Sequence, residues 1–149
     1  MQTFVPCVTV RENAAVLDQK RLGKQMIETG QIVRAIHDPT YGWQHHPAVK
    51  MWRGYSDALL HYQRDCSEEW YRRRGKVHGG ASNLWDWLTD RMGSEYWLGI
   101  LRKDPVLPWW WGGEIHATHR SNLLRKDPSY YGQFGWTEEP DAPYLWPVQ

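Results

Sequence analysis

From Asn13 to about His37 the chain repeats with the three- and four-residue step of a helix. Leu22, Met26, Thr29, Val33 and Ile36 fall on one face, and Asn13 reads as the N-cap. The opposite face carries Lys20, Lys24 and Glu28 at successive four-residue steps, with Arg21 and Gln25 beside them. Gly23 and Gly30 interrupt this helix where alanine would be better by about 1 kcal/mol each. Such glycines let another backbone or a ligand approach, so the face reads either as a ligand site or as a solvated surface beside a tight helix crossing. A second stripe, Val49, Trp52, Leu59, Tyr62, Cys66 and Trp70, predicts a helix from Pro47 to about Arg74. Ser82 is placed to cap a short helix over 83–91. A third helix opens at Gly113 or Glu114, carries His116, His119, Arg120, Leu123 and Leu124, and is stopped by Pro128. No useful stretch alternates with period two. The fold class is all-α: a single compact domain, 1–149, of two long helices plus shorter helices and long aromatic-rich loops.

The connections are distinctive. Residues 1–10 form an apolar extended arm broken by Pro6, whose Phe4, Val5 and Val8 must pack somewhere. Residues 37–46 are a loop punctuated by Pro39 and Gly42, and 75–82 is a glycine-rich loop. From Gly93 to Gly113 the chain reads as irregular and contains Trp109-Trp110-Trp111, three indoles that cannot all enter one core. Arg72, Arg73 and Arg74, followed by Gly75, serve either helix capping or phosphate contact. An acidic, proline-rich tail from Thr137 ends on Tyr144, Leu145 and Trp146, which are expected to fold back onto the body.

Composition changes this picture in two ways. Eleven tryptophans and eight tyrosines against two phenylalanines favour rings with polar tips, suited to a wet groove as well as a core. The net charge of +1 excludes a global basic field, so any nucleic-acid surface must come from segregated cations at 20–24, 72–76 and 120–126. Cys7 and Cys66 make no disulfide framework. His116-x-x-His119 and His45-His46 lack the thiolate or carboxylate partners of a zinc site, so no metal and no cofactor is expected. No secretory signal or long apolar run is present, which reads as a soluble cytoplasmic protein with no membrane partner.

Three phrases carry a resemblance: M-Q-T-F with L-D-Q-K-R-L-G-K-Q-M-I-E, then H-P-A-V-K-M-W-R-G-Y, then H-A-T-H-R-S-N-L-L-R-K-D-P-S-Y-Y-G-Q-F-G-W. Together they resemble the pyrimidine dimer DNA glycosylase family, the endonuclease V of phage repair, and within it the branch of bacteria and their viruses. The resemblance implies a metal-free helical monomer acting on damaged or abasic double-stranded DNA, nucleoid-associated when bound. It also implies a glycosylase with β-elimination lyase activity through a Schiff base from the N-terminal α-amine. Leu22 and Glu28 match the family's L-x-x-x-x-x-E, which puts Glu28 at the catalytic position. Gln2, Lys20, Arg21, Gln25, His116, His119, Arg120, Arg125 and Lys126 are then the DNA-binding candidates, with Tyr130 and Tyr131 in the C-terminal motif.

Amine chemistry ranks the nucleophiles. A neutral amine is needed to attack C1′ of deoxyribose. At about pH 7.4 an α-amine near ~7.8 is roughly one-quarter neutral, whereas a lysine near ~10.4 is about one-thousandth neutral. The family's characterised enzyme loses its Met, but Gln2 is too large for the usual removal of an initiator Met, so Met1 is the expected nucleophile and Lys24 the runner-up. Two readings stay open beside this one: the same chemistry on another modified base, or a DNA-binding module without catalysis.

Overall fold

The helix expected from Asn13 to His37 is two helices. The computed structural model describes residues 1–148, and in it α1 spans Val10–Val16 and α2 spans Gln19–His37. Asn13 is no cap: it is buried inside α1, where its Oδ1 accepts from Cys7 N at 2.7 Å. Thr9 caps α1, and Asp18 caps α2 by accepting from Arg21 N. The break is held from afar. Arg73 donates to Leu17 O at 2.7 Å and Ala15 O at 3.0 Å, closing the C-terminus of α1. Tyr131 bonds the Asp18 carboxylate and accepts from Asp18 N.

The second expected helix is also divided. α3 covers Pro47–Trp52 and α4 covers Ser56–Arg74. Gly54 turns between them at φ +82°, a conformation that side chains resist. The sequence stripe runs through both pieces, and Val49, Trp52, Leu59, Tyr62 and Cys66 are fully buried. α5 (Gly79–Met92) begins earlier than expected because His78, not Ser82, is its cap, accepting from Gly80 N at 3.0 Å. α6 (Ser94–Leu101) replaces part of the segment read as irregular; none of its residues is buried, so it leaves no stripe to read. α7 (Gly113–Lys126) and α8 (Pro128–Tyr131) follow, then a 3-10 turn over Gly132–Phe134. Among the described residues there is no strand, and the chain is all-α.

α2 is the central element and packs against α4, α5 and α3. Its Leu22, Met26 and Val33 are fully buried, each contributing about 1.5–3 kcal/mol. The glycines serve these crossings: a Cβ on Gly23 would lie 3.1 Å from the Trp70 ring of α4, and one on Gly30 3.8 Å from Leu84 of α5. No helix among the described residues is long and apolar enough to cross a membrane.

Candidate active site

Residues 1–6 run without regular structure through a helical protein and 7–9 bend into α1, so no ladder satisfies their backbone groups, and side chains do it instead. Glu28 Oε2 accepts from Gln2 N at 3.1 Å, and Gln25 Nε2 donates to Gln2 O at 3.2 Å. Thr3 Oγ1 accepts from the Trp52 indole at 3.0 Å. Phe4 N donates to Gln25 Oε1 at 3.1 Å, and the Tyr62 hydroxyl sits 2.8 Å from Phe4 O. Val5 is held at both ends, its N–H by His119 Nδ1 at 2.9 Å and its carbonyl by His116 Nδ1 at 2.6 Å. Arg120 donates to Pro6 O at 2.9 Å, and Trp111 donates to Val8 O at 2.7 Å. Phe4 and Val5 enter the core as the sequence requires, whereas Val8 remains exposed.

Several residues expected to face DNA lie inside the fold. Gln25, His116 and His119 are buried, and their polar atoms grip the arm rather than solvent. Burial pushes the His119 imidazole down to about 3, and the nearby His116 adds to the shift. Neutral His119 is what the bond requires, since its Nδ1 accepts from Val5. Arg120 is half-buried, paired with Glu138 and bonded to Pro6, so its charge is committed within the fold.

The remaining candidates converge. Gln2, Phe4, Lys20, Arg21, Lys24, Gln25, Glu28 and Lys126 line one cavity of about 210 Å³ between α2, the arm and the end of α7. The helical spacing of Lys20, Lys24 and Glu28 puts them on its floor, and Lys126 approaches from the last turn of α7. Lys24 Nζ lies 3.9 Å from Glu28 Oε1; Lys24 is 60% exposed and Glu28 16%, so the carboxylate is sheltered and the ammonium is not. Burial, then the charges of Arg21, Arg125 and Lys24, hold the Lys126 amine below its ordinary value. Arg125 lies outside the cavity, exposed at the same helix end and bonded to Asn122. Of the arginine cluster, Arg72 and Arg73 pair with Glu69, so capping and ion pairing account for both.

The N-terminus adjoins this cavity. Gln2 N is three bonds from the Met1 amine, so covalent geometry puts that amine within about 7 Å of the Glu28 carboxylate. On its other side stands His46, whose imidazole is held below its usual value first by burial and then by the charge of the N-terminus. Beyond His46 come Trp43, with ring centres 5.7 Å apart, and Trp146, at 6.0 Å. Sequence reading passed over Trp43 and Trp146 as site residues and weighed His46 only for a metal, because nothing local shows that a loop and the tail meet at the N-terminus. Two roomier grooves, of about 720 and 650 Å³, lie around Gly54 and Tyr55. The smaller cavity is preferred on chemistry: it joins a sheltered carboxylate, amines and cations. Among the described residues no group of three or more His, Cys, Asp or Glu is arranged to hold a metal ion.

A family model described as pyrimidine dimer DNA glycosylase matches residues 1–82, which include the arm, α2 and Glu28. No curated protein and no solved structure matches the chain.

Proposed function

The chain belongs to the pyrimidine dimer DNA glycosylase family, and from that premise we propose that it excises a damaged pyrimidine from duplex DNA and then cleaves the abasic strand. The observation that carries this reading is the Glu28 carboxylate, turned onto the N-terminal segment in a cavity ringed by Lys20, Arg21, Lys24 and Lys126. The terminal amine adds its lone pair to C1′, the bond from C1′ to the base breaks, and the amine passes a proton to Glu28. The departing base takes a proton from solvent, and Glu28 returns its proton to O4′ as the C1′–O4′ bond breaks, so ring opening leaves a protonated imine at C1′. Loss of a proton from C2′ then moves electrons toward the imine, the C3′–O bond breaks, and the phosphate departs. Glu28 also stabilises the positive charge that develops on the sugar. The exposed cations Lys20, Lys24, Arg125 and Lys126, with Arg21, hold the flanking phosphates.

Met1 is the amine favoured by the sequence, because Gln2 opposes its removal. A second reading has a specific observation behind it: the nitrogen facing Glu28 at 3.1 Å is that of Gln2. As an amide it is not nucleophilic, but loss of Met1 would turn it into an α-amine already against the carboxylate. Borohydride reduction on abasic duplex, digestion and mass spectrometry separate the cases. An adduct on Met1 supports the unprocessed terminus, one on Gln2 supports the processed one, and one on Lys24 sinks the terminal amine while keeping the lyase. Binding without any adduct reduces the protein to a DNA-binding module. Release assays on irradiated, oxidised and base-modified duplexes then identify the lesion; activity only on a modified base overturns the pyrimidine dimer assignment.

A further inference from the structure

Trp43 combines a left-handed backbone with an exposed side chain. Its φ is +72°, and among the described residues it is the one non-glycine residue with positive φ. Left-handed backbone costs a bulky residue about 1–2 kcal/mol, and burial does not offset it, because Trp43 is 57% exposed. The loop around it is nonetheless firmly built. The Gln44 amide reaches Ala35 O and Asp38 O at 2.8 Å and Tyr41 O at 3.0 Å. Arg53 clamps Gln44 Oε1 at 2.8 Å, Thr40 Oγ1 bonds Asp38 at 2.7 Å, and His46 N donates to Trp43 O at 3.0 Å. A rigid turn therefore presents a strained indole to solvent. Strain kept in this way marks a functional position.

Its location says which function. The Trp43 ring meets His46 edge-on, and His46 is near enough to the N-terminus to feel its charge, which puts the indole on the side of the molecule where the arm meets Glu28. Resting on the glycosylase reading above, we propose that Trp43 is the wedge that enters the base stack at the lesion and fills the gap left by the extruded nucleotide. A duplex whose nucleotide has turned out loses stacking on both neighbours, and a flat apolar side chain restores part of it. The proposal selects Trp43 over Trp109, which is 60% exposed and lines the groove shared by Gln44, His45, Lys50 and Pro147, because it is the Trp43 ring that meets His46.

The test uses two duplexes of one sequence, one intact and one with a tetrahydrofuran abasic analogue, which cannot form an imine, and measures affinity by fluorescence anisotropy. Trp43→Ala is expected to weaken binding to the analogue about 5- to 100-fold and to leave intact duplex almost unchanged. Trp43→Gly removes the left-handed strain, so it should melt no lower than the native protein and show the same selective loss. Trp43→Tyr should restore much of the preference, and Trp109→Ala should leave it intact. Equal loss on both duplexes, no loss on either, or a native protein without preference for the analogue would each overturn the wedge. Failure of the imine reading shows up separately, as no borohydride adduct on abasic DNA, and does not alter this binding comparison.

Discussion

Glu28 and the Val5 clamp show how single residues set the chemistry. Glu28 is sheltered, takes one hydrogen bond from the arm and keeps only a long contact to Lys24, so its carboxylate remains available for proton transfer. Glu28→Gln should lower single-turnover base release by about 10²- to 10⁴-fold while DNA affinity stays nearly unchanged; a loss below about tenfold would remove the proton-transfer role. His119 makes the arm acid-sensitive. Its folded value, about 3, lies below the ordinary 6.5 of an unfolded histidine. The unfolded chain therefore binds the extra proton first, and stability complete above pH 6.5 is lost as pH falls from 6.5 toward 3. His116, lowered by burial in the same place, acts in the same direction. Urea denaturation at pH 7.5, 6 and 5 should show stability falling by on the order of 1 kcal/mol per unit below 6.5 from His119, with His116 adding to the fall. His119→Leu should flatten that slope and lower stability at pH 7.5, because Val5 N–H then lacks its partner.

At the scale of elements, α2 owes its place to two glycines that sequence alone treats alike. Gly23 faces the Trp70 ring, which His78 holds edge-on at 4.6 Å, so a methyl group there meets a neighbour with little room to move. Gly30 meets Leu84 at an ordinary 3.8 Å. Gly30→Ala should therefore raise the melting temperature by about 2–4 °C, the equivalent of roughly 1 kcal/mol of helix propensity, and Gly23→Ala should not. Thermal melts of the two variants decide it; an equal rise in both would mean that Trp70 yields freely. The same element shows what a helix pattern conceals. Its polar face was legible as a shared row of Lys20, Lys24 and Glu28, but its start was misplaced, because Asp18 caps it with the help of Tyr131, far along the chain.

Across the whole molecule, a net charge of +1 coexists with a locally cationic cavity because the acids are engaged elsewhere, Glu69 by Arg72 and Arg73, and Glu138 by Arg120. DNA affinity should fall steeply with salt, each neutralised phosphate adding about 0.9 to the log–log slope. Lys20→Ala and Lys126→Ala should each reduce that slope by close to one phosphate contact, whereas Arg72→Ala, on a guanidinium already paired, should not. A slope unaffected by Lys20 and Lys126 would assign those side chains to solvent.

Periodicity and residue chemistry determined the helical class, the buried stripes, the convergence of Lys20, Lys24 and Glu28 on one face, and the need for Phe4 and Val5 to be buried. These follow from local rules: a 3.6-residue turn and the exclusion of apolar surface from water. Tertiary structure alone decided the rest. The break before Asp18 depends on Arg73 and Tyr131, partners that no window of sequence contains, whereas the break at Gly54 is a local glycine turn across which the buried stripe continues. His116, His119 and Gln25 look like surface ligands until the arm is seen lying across them, because a polar side chain reads the same whether it faces DNA or a buried backbone amide. Trp43 and Trp146 reach the N-terminus from a loop and from the tail, and chain folding, not spacing, brought them there. Hydrogen bonds over more than a hundred residues, such as Val5 to His119 and Asp18 to Tyr131, carry that information.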